Sequence, residues 1–133
     1  MELNSSSLYL IFNHQITCRQ KHDARESLGV DKIIELPPDL DPLWRQIPPD
    51  LESIKNYLEP VRNWLASHAK KNDYLLVQGD FGACYIMVNF AFKIGLLPIY
   101  STTERKAVEE HDDDGNVKLT HHFRHRIFRR YEV

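Results

Sequence analysis

Polar side chains that can transfer protons or bind phosphate follow three short apolar segments of the chain. The clusters are Asn13-His14-Gln15-Ile16-Thr17, Gln78-Gly79-Asp80-Phe81-Gly82 and Ser101-Thr102-Thr103-Glu104-Arg105. Histidine exchanges protons near neutral pH, arginine binds phosphate bidentately, and hydroxyl and amide groups hydrogen-bond ribose and phosphate oxygens. These residue types predict a site for a phosphorylated ligand, with His14 as a candidate general acid or base.

Each of these side chains also has a purely structural interpretation. His14 is equally typical of a histidine that bonds the turn after it, and Arg105 could pair with Glu104 or with acids of the following segment. Threonines are common at strand ends, so Thr102 and Thr103 need not touch a ligand. The residue types alone therefore leave both interpretations open.

The second cluster has the pattern of a strand, a glycine turn and a helix. The apolar run Tyr74–Val77 predicts a strand buried on both faces, and the long apolar segment from Ala83 predicts a buried helix. Between them, the backbone N–H groups of Gly79, Phe81 and Gly82 would point at an anion. However, no Lys-Ser/Thr follows and the spacing is not G-x-G-x-x-G. Asp80 is predicted to cap the helix, so a tight turn without ligand is the alternative.

The elements that must position these clusters alternate between strands and helices. Strands are predicted at Leu8–Phe12, Val30–Leu36, Tyr74–Val77 and Leu96–Tyr100, and helices at Cys18–Leu28, Asp50–Leu65 with a kink or restart at Pro60, and Ala83 to Gly95. Strand–helix–strand spacing predicts right-handed crossovers and a mostly parallel sheet. The three clusters then converge on one rim, where open parallel sheets bind ligands. The sequence predicts a Rossmann-like α/β fold.

A hairpin is predicted at the end of the chain. Lys106–His111 and Val117–Phe123 flank Asp112-Asp113-Asp114-Gly115-Asn116, which is a strong turn signal. We therefore predict a single domain over residues 1–133, with a core over 8–103 and a β-hairpin over 105–131.

Composition limits the classes of partner. The chain of 133 residues has a net charge of −2, which gives no general attraction for long DNA or RNA. The residues before Leu8 lack a basic segment, and no apolar run is long enough for a membrane span. The two cysteines, Cys18 and Cys84, have no metal-ligand spacing and are predicted to be reduced packing residues. A cytoplasmic location is expected.

Two other chemistries receive little support. His111, His121, His122 and His125 cluster in the hairpin, but no cysteine or helical histidine pair completes a zinc site. A Ser-His-Asp hydrolase is unsupported because the chain has no G-x-S-x-G elbow. If the rim cleaves a phosphodiester, attack by the substrate's own ribose 2′-OH needs neither metal nor cofactor, only alignment and stabilisation of charge.

Long blocks of the chain resemble one known family. YLIFNHQITCRQ, LWRQIPPDLESIKNYLEPVRNWL, DYLLVQGDFGACYIMVNFAFKIGLLPIYSTTER and HHFRHRIFRRYE are similar to the CRISPR-associated Csx-twenty family, over about Leu8 to Tyr131. The resemblance implies a CARF-like Rossmann fold that forms a homodimer and binds cyclic tetra-adenylate. It further implies a ring nuclease that opens this messenger without metal, leaves 2′,3′-cyclic phosphate ends and switches off type III CRISPR signalling.

Chemistry then suggests roles for five of the rim residues. His14 and Arg105 would stabilise or protonate the leaving oxygen, while Thr17, Thr102 and Thr103 would orient ribose and phosphate. Asn13 and Gln78 could read base edges or ribose, and Gln15 is a further predicted ligand-binding residue of the same cluster. The hairpin would complete the dimer or cover the ring, with His122 and Arg124 facing it.

Two other functions remain open at the level of sequence. The same fold could capture cyclic oligoadenylate without cutting it, as a sensor or sponge. Alternatively, the chain could be an interaction protein whose hairpin docks a partner, although the polar clusters at the rim argue against that.

Overall fold

Strands and helices alternate along the chain in the structure, a computed structural model that describes residues 5–133. The strands are β1 (Ser6–Phe12), β2 (Val30–Glu35), β3 (Tyr74–Gln78), β4 (Leu97–His111) and β5 (Val117–Arg130). The helices are α1 (Cys18–Ser27), α2 (Asp41–Arg45), α3 (Glu59–His68) and α4 (Phe81–Lys93).

One five-stranded sheet has the order β2-β1-β3-β4-β5. β1 pairs in parallel with both β2 and β3, β3 pairs in parallel with β4, and only β5 is antiparallel to its neighbour. The chain winds outward from β1 to β2 and then crosses back to β3, so the winding direction changes between β1 and β3. Such a switch point is where ligands bind in doubly wound sheets. The predicted α/β fold class, including the C-terminal hairpin, is confirmed.

The hydrophobic core lies on both faces of the sheet. On one face, α2, α3 and α4 cover the strand residues Tyr9, Ile11, Leu75 and Val77. On the other face, α1 packs through Ala24 on Leu8, Leu10, Phe12, Leu76 and Ile99. This division follows from the alternation of side chains along each strand, and it explains why the central strands read as continuous apolar runs.

Local capping signals in the sequence give the expected helix ends. Thr17 caps α1, where its hydroxyl accepts from Gln20 N and the Gln20 side chain accepts from Thr17 N, which is a complete capping box. Asp80 caps α4 by accepting from Ala83 N at 3.0 Å. The cap predicted at Asp80 is confirmed.

The predicted helix from Asp50 is wrong in its first half. Residues 50–58 form turns, and α3 begins only at Glu59 with Pro60 in its first turn. Proline is favoured there because the missing N–H would have no helical partner, whereas inside a helix it breaks a hydrogen bond. Within this irregular segment Ile54 and Leu58 pack on the core, whereas Leu51 is exposed.

The fourth strand is longer than predicted. β4 runs without interruption from Leu97 to His111, so Thr102 and Thr103 lie inside a strand rather than in a loop after it. The predicted limit between core and hairpin at residues 103–105 thus falls within β4, which the sheet and the hairpin share. The predicted turn is confirmed, since Asp112 accepts from the N–H groups of Asp114 and Asn116.

A bulge interrupts the pairing of β4 and β5. Ser101 pairs with Phe128, but the next pair is Thr103 with His125, so β5 has one residue more than β4 in this interval. The Thr102 hydroxyl bridges the irregularity by donating to Ile127 O and accepting from Ile127 N, both at 3.1 Å. Because the extra residue shifts the alternation, His125 and Phe128 face the same side, with ring centroids 4.5 Å apart.

The cysteines and the membrane prediction have simple outcomes. Both cysteines are free thiols, but only Cys84 is partly buried; Cys18 is exposed, which contradicts its predicted packing role. Cys18 is the first residue of α1, and its side chain is accessible to solvent. Over residues 5–133, no helix has the length and apolar character needed to cross a membrane.

Candidate active site at the carboxyl edge of the sheet

A cavity of about 560 Å³, here called the rim pocket, opens at the carboxyl ends of β1 and β3. It is lined by Phe12, His14, Gln15, Thr17, Gln20, Gln78, Ser101, Thr103, Phe123 and His125. Its position coincides with the switch point between β1 and β3. The volume lies within the range of roughly 300 to 1,000 Å³ that is usual for small-ligand sites.

The sheet itself places the floor of this pocket. Gln78 and Ser101 each come two residues after a buried apolar residue of their strand, Leu76 and Ile99, and so project from the same face. Gln78 Oε1 accepts from Ser101 N at 2.7 Å, which ties the end of β3 to β4. The α1 side of the sheet thus changes from apolar to polar at its carboxyl edge.

Five of the predicted site residues do converge here: His14, Gln15, Thr17, Gln78 and Thr103 line the rim pocket. The segment after β1 is anchored by a residue outside the pocket, because the Arg45 guanidinium donates to the carbonyls of Asn13 and His14 at 3.3 Å each. The His14 ring packs edge-on against Phe12, with centroids 5.6 Å apart. The exposed imidazole is therefore held at the mouth of the pocket.

The glycine turn after β3 does not join this pocket. Gly79 and Phe81 line a separate groove beside α4, and the Phe81 side chain is 95% exposed. A Cβ at Gly79 would lie 2.9 Å from Trp44 Nε1, so the glycine is required by packing. Asp80 is engaged as a helix cap and Gly82 forms the first turn of α4. The predicted phosphate cradle thus lies apart from the predicted acid–base residues.

Three further predicted residues stand apart from the pocket. Thr102 projects from the opposite face of β4, where both of its hydroxyl bonds go to Ile127. Arg105 is exposed on the two-stranded part of the hairpin, opposite Phe123. Asn13 is exposed beside the pocket and contributes its carbonyl to Arg45. Thr102 therefore does not line the rim pocket.

The face of the hairpin that meets the pocket also differs from the prediction. Phe123 and His125 line the pocket, whereas His122 and Arg124 lie on the other face of β5. Alternation along the strand is the reason, since the side chains of residues 122 and 124 point opposite to those of 123 and 125. An aromatic ring and an imidazole, rather than two basic side chains, are presented to a ligand.

The site contains a hydrogen-bonded array of side chains that the sequence did not predict. Ser101 Oγ lies 2.5 Å from His125 Nδ1, and His125 Nε2 lies 2.6 Å from Asp23 Oδ2. Gln20 Nε2 donates to Ser101 Oγ at 3.2 Å, and Ser27 Oγ donates to the other oxygen of Asp23. Ser101 and His125 are only 7% and 6% exposed. The sole local signal was that Ser101 continues the buried row of Ile99; nothing near His125 or Asp23 in sequence indicated their meeting.

The charge of Asp23 is favoured by its surroundings. Burial raises its pKa, but hydrogen bonds from Ser27 and His125, together with the positive charge of Arg19, outweigh burial and lower the pKa below its ordinary value. The Arg19 guanidinium also donates from Nε to His125 O at 2.9 Å, which fixes β5 against α1. Asp23 therefore acts as an ionised acceptor for the imidazole N–H.

Residues 6–129, which include the rim pocket and Asp23, match the family described as "Uncharacterized protein MJ1673 family". The chain belongs to the MJ1673 family. A relative carrying the name "Uncharacterized protein MJ1673", from Methanocaldococcus jannaschii, is 50% identical over 124 residues, covering 93% of this chain and 95% of the relative. No solved structure matches the chain.

Membership of the MJ1673 family extends over every element that builds the site. The match begins at the start of β1 and ends one residue before the end of β5, so it includes the hairpin as well as the parallel sheet. Because the family description names no activity, the function has to be argued from the side chains at the carboxyl edge.

Proposed function

We propose that this MJ1673-family protein is a ring nuclease that binds cyclic tetra-adenylate at the rim pocket and opens it by attack of a ribose 2′-OH. The products would be linear adenylates with 2′,3′-cyclic phosphate ends. In a cell with a type III CRISPR system, this reaction would switch off the ancillary nucleases that the ring activates. We place the reaction in the cytoplasm, where the messenger is made.

The observation that carries the proposal is the composition of the rim pocket. Phe12 and Phe123 offer aromatic surfaces on which adenine can stack. Gln15, Thr17 and Thr103 offer hydroxyl and amide groups to ribose and phosphate, and His14 offers a proton at the mouth. This combination at a sheet switch point suits an adenylate better than an apolar ligand or a long nucleic acid.

A homodimer would match the two-fold symmetry of the ring. Val117, Leu119 and Phe123 are exposed apolar residues on one face of β5, and His125 of the rim pocket lies on that same face. A second copy packed there would cover these side chains and bring a second rim pocket close to the first. We therefore expect two protomers to share one ring.

Capture without cleavage is the second candidate function. It is favoured by Arg105, which does not line the cavity although it pairs with the pocket-lining Phe123. A pocket without this guanidinium could bind the ring and yet lack stabilisation of phosphorane charge. The protein would then be a sensor or sponge.

Multiple-turnover incubation with labelled cyclic tetra-adenylate in EDTA tests the proposal, with products resolved against linear standards. Conversion of many equivalents of ring per protomer into products with cyclic phosphate ends is the expected result. Intact ring recovered from a tight complex would support the sponge. Absence of both binding and cleavage would refute both functions.

His14→Ala and Arg105→Ala locate the reacting region. If the ring binds at the rim pocket, His14→Ala should slow cleavage by about 10²-fold or more, because a proton donor contributes that much. Arg105→Ala should have the smaller effect, since Arg105 does not line the cavity. Asn63→Ala, on the exposed surface of α3, is a control that should leave cleavage unchanged.

A further inference from the structure

Three elements that are distant in sequence bring a hydroxyl, an imidazole and a carboxylate into line. Ser101 lies on β4, His125 on β5 and Asp23 on α1, and the two contacts that join them measure 2.5 and 2.6 Å. Their sequence separations are 24 and 102 residues. The Ser–His–Asp order is that of an activated hydroxyl group, in which the carboxylate orients the imidazole and the imidazole accepts the hydroxyl proton.

The hydrogen-bond network fixes the direction of the protons. Asp23 is ionised and can only accept, so the proton shared with it must belong to His125 Nε2. In the neutral imidazole, Nδ1 is then bare and accepts from the Ser101 hydroxyl. Gln20 Nε2 donates to a lone pair of the same oxygen, and the hydroxyl proton has two acceptors, His125 Nδ1 at 2.5 Å and Thr102 O at 3.5 Å, of which the nearer imidazole is the stronger partner.

Ser101 and His125 both line the rim pocket, but only the serine can exchange a proton directly with a ligand. Ser101 lines the rim pocket together with Gln20 and Thr103, while both ring nitrogens of His125 are already bonded within the protein. A bound hydroxyl would therefore exchange its proton with Ser101 Oγ, and His125 would act through the serine.

We propose that Ser101, His125 and Asp23 form a proton relay that activates a ribose 2′-OH held in the rim pocket; this inference rests on the function proposed above. The 2′-OH proton passes to Ser101 Oγ as the serine proton passes to His125 Nδ1. The 2′-oxygen bonds to the adjacent phosphorus, and the bond from phosphorus to the 5′-oxygen breaks with its electron pair on that oxygen. The His14 imidazolium supplies the proton that the departing oxygen takes.

A relay fits the surroundings of Ser101 better than a covalent serine intermediate does. In serine hydrolases, the backbone N–H of the nucleophile helps to hold the negative oxygen of the intermediate. Here the Ser101 N–H already donates to Gln78 Oε1 at 2.7 Å. The ribose hydroxyl is the better nucleophile in this site because it is built into the substrate next to the scissile phosphate.

Cleavage of cyclic tetra-adenylate by the full chain in EDTA, with separate measurement of ring binding, tests the relay. Ser101→Ala should lower kcat by about 10² to 10⁴-fold while changing the ring Kd by less than about 3-fold. Ser101→Cys retains a transferable proton and should be faster than Ser101→Ala. Ser67→Ala is the matched control, because that hydroxyl bonds only Asn63 O on the exposed side of α3.

The pH profile separates a relay from a structural role for Asp23. Asp23→Asn removes the negative charge beside the imidazole, so the acid limb of the kcat profile should move to lower pH. The other charged and titratable groups around His125 are Arg19, His22 and Glu26 on α1, Arg126 on β5 and His14 at the pocket mouth. His22→Gln therefore serves as the control and should leave that limb in place.

A measurement without substrate keeps the relay testable by itself. Proton NMR should show a strongly downfield Nε2–H signal from His125, which Asp23→Asn abolishes and Ser101→Ala shifts. If the wild type does not cleave the ring, the proposed function fails and the relay for this substrate fails with it, whatever the NMR shows. If the wild type cleaves but Ser101→Ala cleaves equally fast, the relay alone fails. A phosphoryl group trapped on Ser101 would also overturn the relay, in favour of a covalent route.

Discussion

Replacing Gly79 by alanine tests whether this glycine serves packing or a ligand. Its φ is +157°, and a Cβ there would lie 2.9 Å from Trp44 Nε1 and 3.1 Å from Trp44 Cε2. Trp44 cannot retreat easily, because it is 2% exposed and its Nε1 donates to Gln78 O at 2.9 Å. The substitution therefore forces the indole out of its site or breaks this hydrogen bond.

The size of the effect follows from two costs. Overpacking a core costs about 1 to 3 kcal/mol, and a backbone conformation that L residues rarely adopt adds about 1 to 3 kcal/mol. We expect Gly79→Ala to lower the free energy of unfolding by about 2 to 6 kcal/mol, a large share of the roughly 5 to 15 kcal/mol typical of a domain.

Gly82→Ala is the matched control three residues further on. A Cβ there would lie 3.6 Å from Asp80 Oδ2 and 3.8 Å from Ile54 Cδ1, both ordinary contacts. Because Gly82 is helical, alanine should be neutral or stabilising by up to about 1 kcal/mol. Urea unfolding followed by tryptophan fluorescence measures both variants. A Gly79→Ala protein as stable as wild type, or a Gly82→Ala protein equally destabilised, would refute the packing argument.

Three other substitutions have defined outcomes. Thr102→Val removes both hydroxyl bonds to Ile127 and should destabilise the protein by about 2 kcal/mol. Thr120→Val is the control and should cost less, because the Thr120 hydroxyl makes only longer contacts. Thermal unfolding compares the two variants. Burial raises the Tyr131 pKa to about 12. The stability that the neutral phenol contributes is therefore fully present below pH 10.0, the ordinary pKa of tyrosine, and is lost as pH rises through about 12. Tyr131→Phe, which lacks the bond to Val77 O, should be less stable by about 1 kcal/mol at neutral pH but should not show that alkaline loss in urea titrations. Because the Asp23 pKa is lowered, its contribution is present above 3.8 and is lost as pH falls through the folded value. Asp23→Asn should therefore show a shallower acid loss of stability than wild type, and equal slopes would contradict the ionised acceptor.

The sequence determined the features that depend on neighbouring residues. Apolar runs such as Leu8–Phe12 and Tyr74–Val77 required strands buried on both faces, and the caps at Thr17 and Asp80 marked two helix starts. The turn around Asp112 follows from side-chain bonds to its own backbone. Since parallel strands place their carboxyl ends on one edge, the location of the rim pocket also followed.

The tertiary structure alone decided which side chains meet in that pocket. In the sequence, Pro60 is compatible with either a helix kink or a helix start. The structure shows a helix start, because residues 50–58 are not helical and α3 begins at Glu59. The register of β4 and β5, with a bulge opposite Thr102, turns His125 toward Ser101, and the packing of α1 brings Asp23 to the other side of the ring. Contacts across 24 and 102 residues depend on strand register and helix packing. Local propensity encodes neither, because a shift of one residue in pairing would send every side chain of β5 to the opposite face.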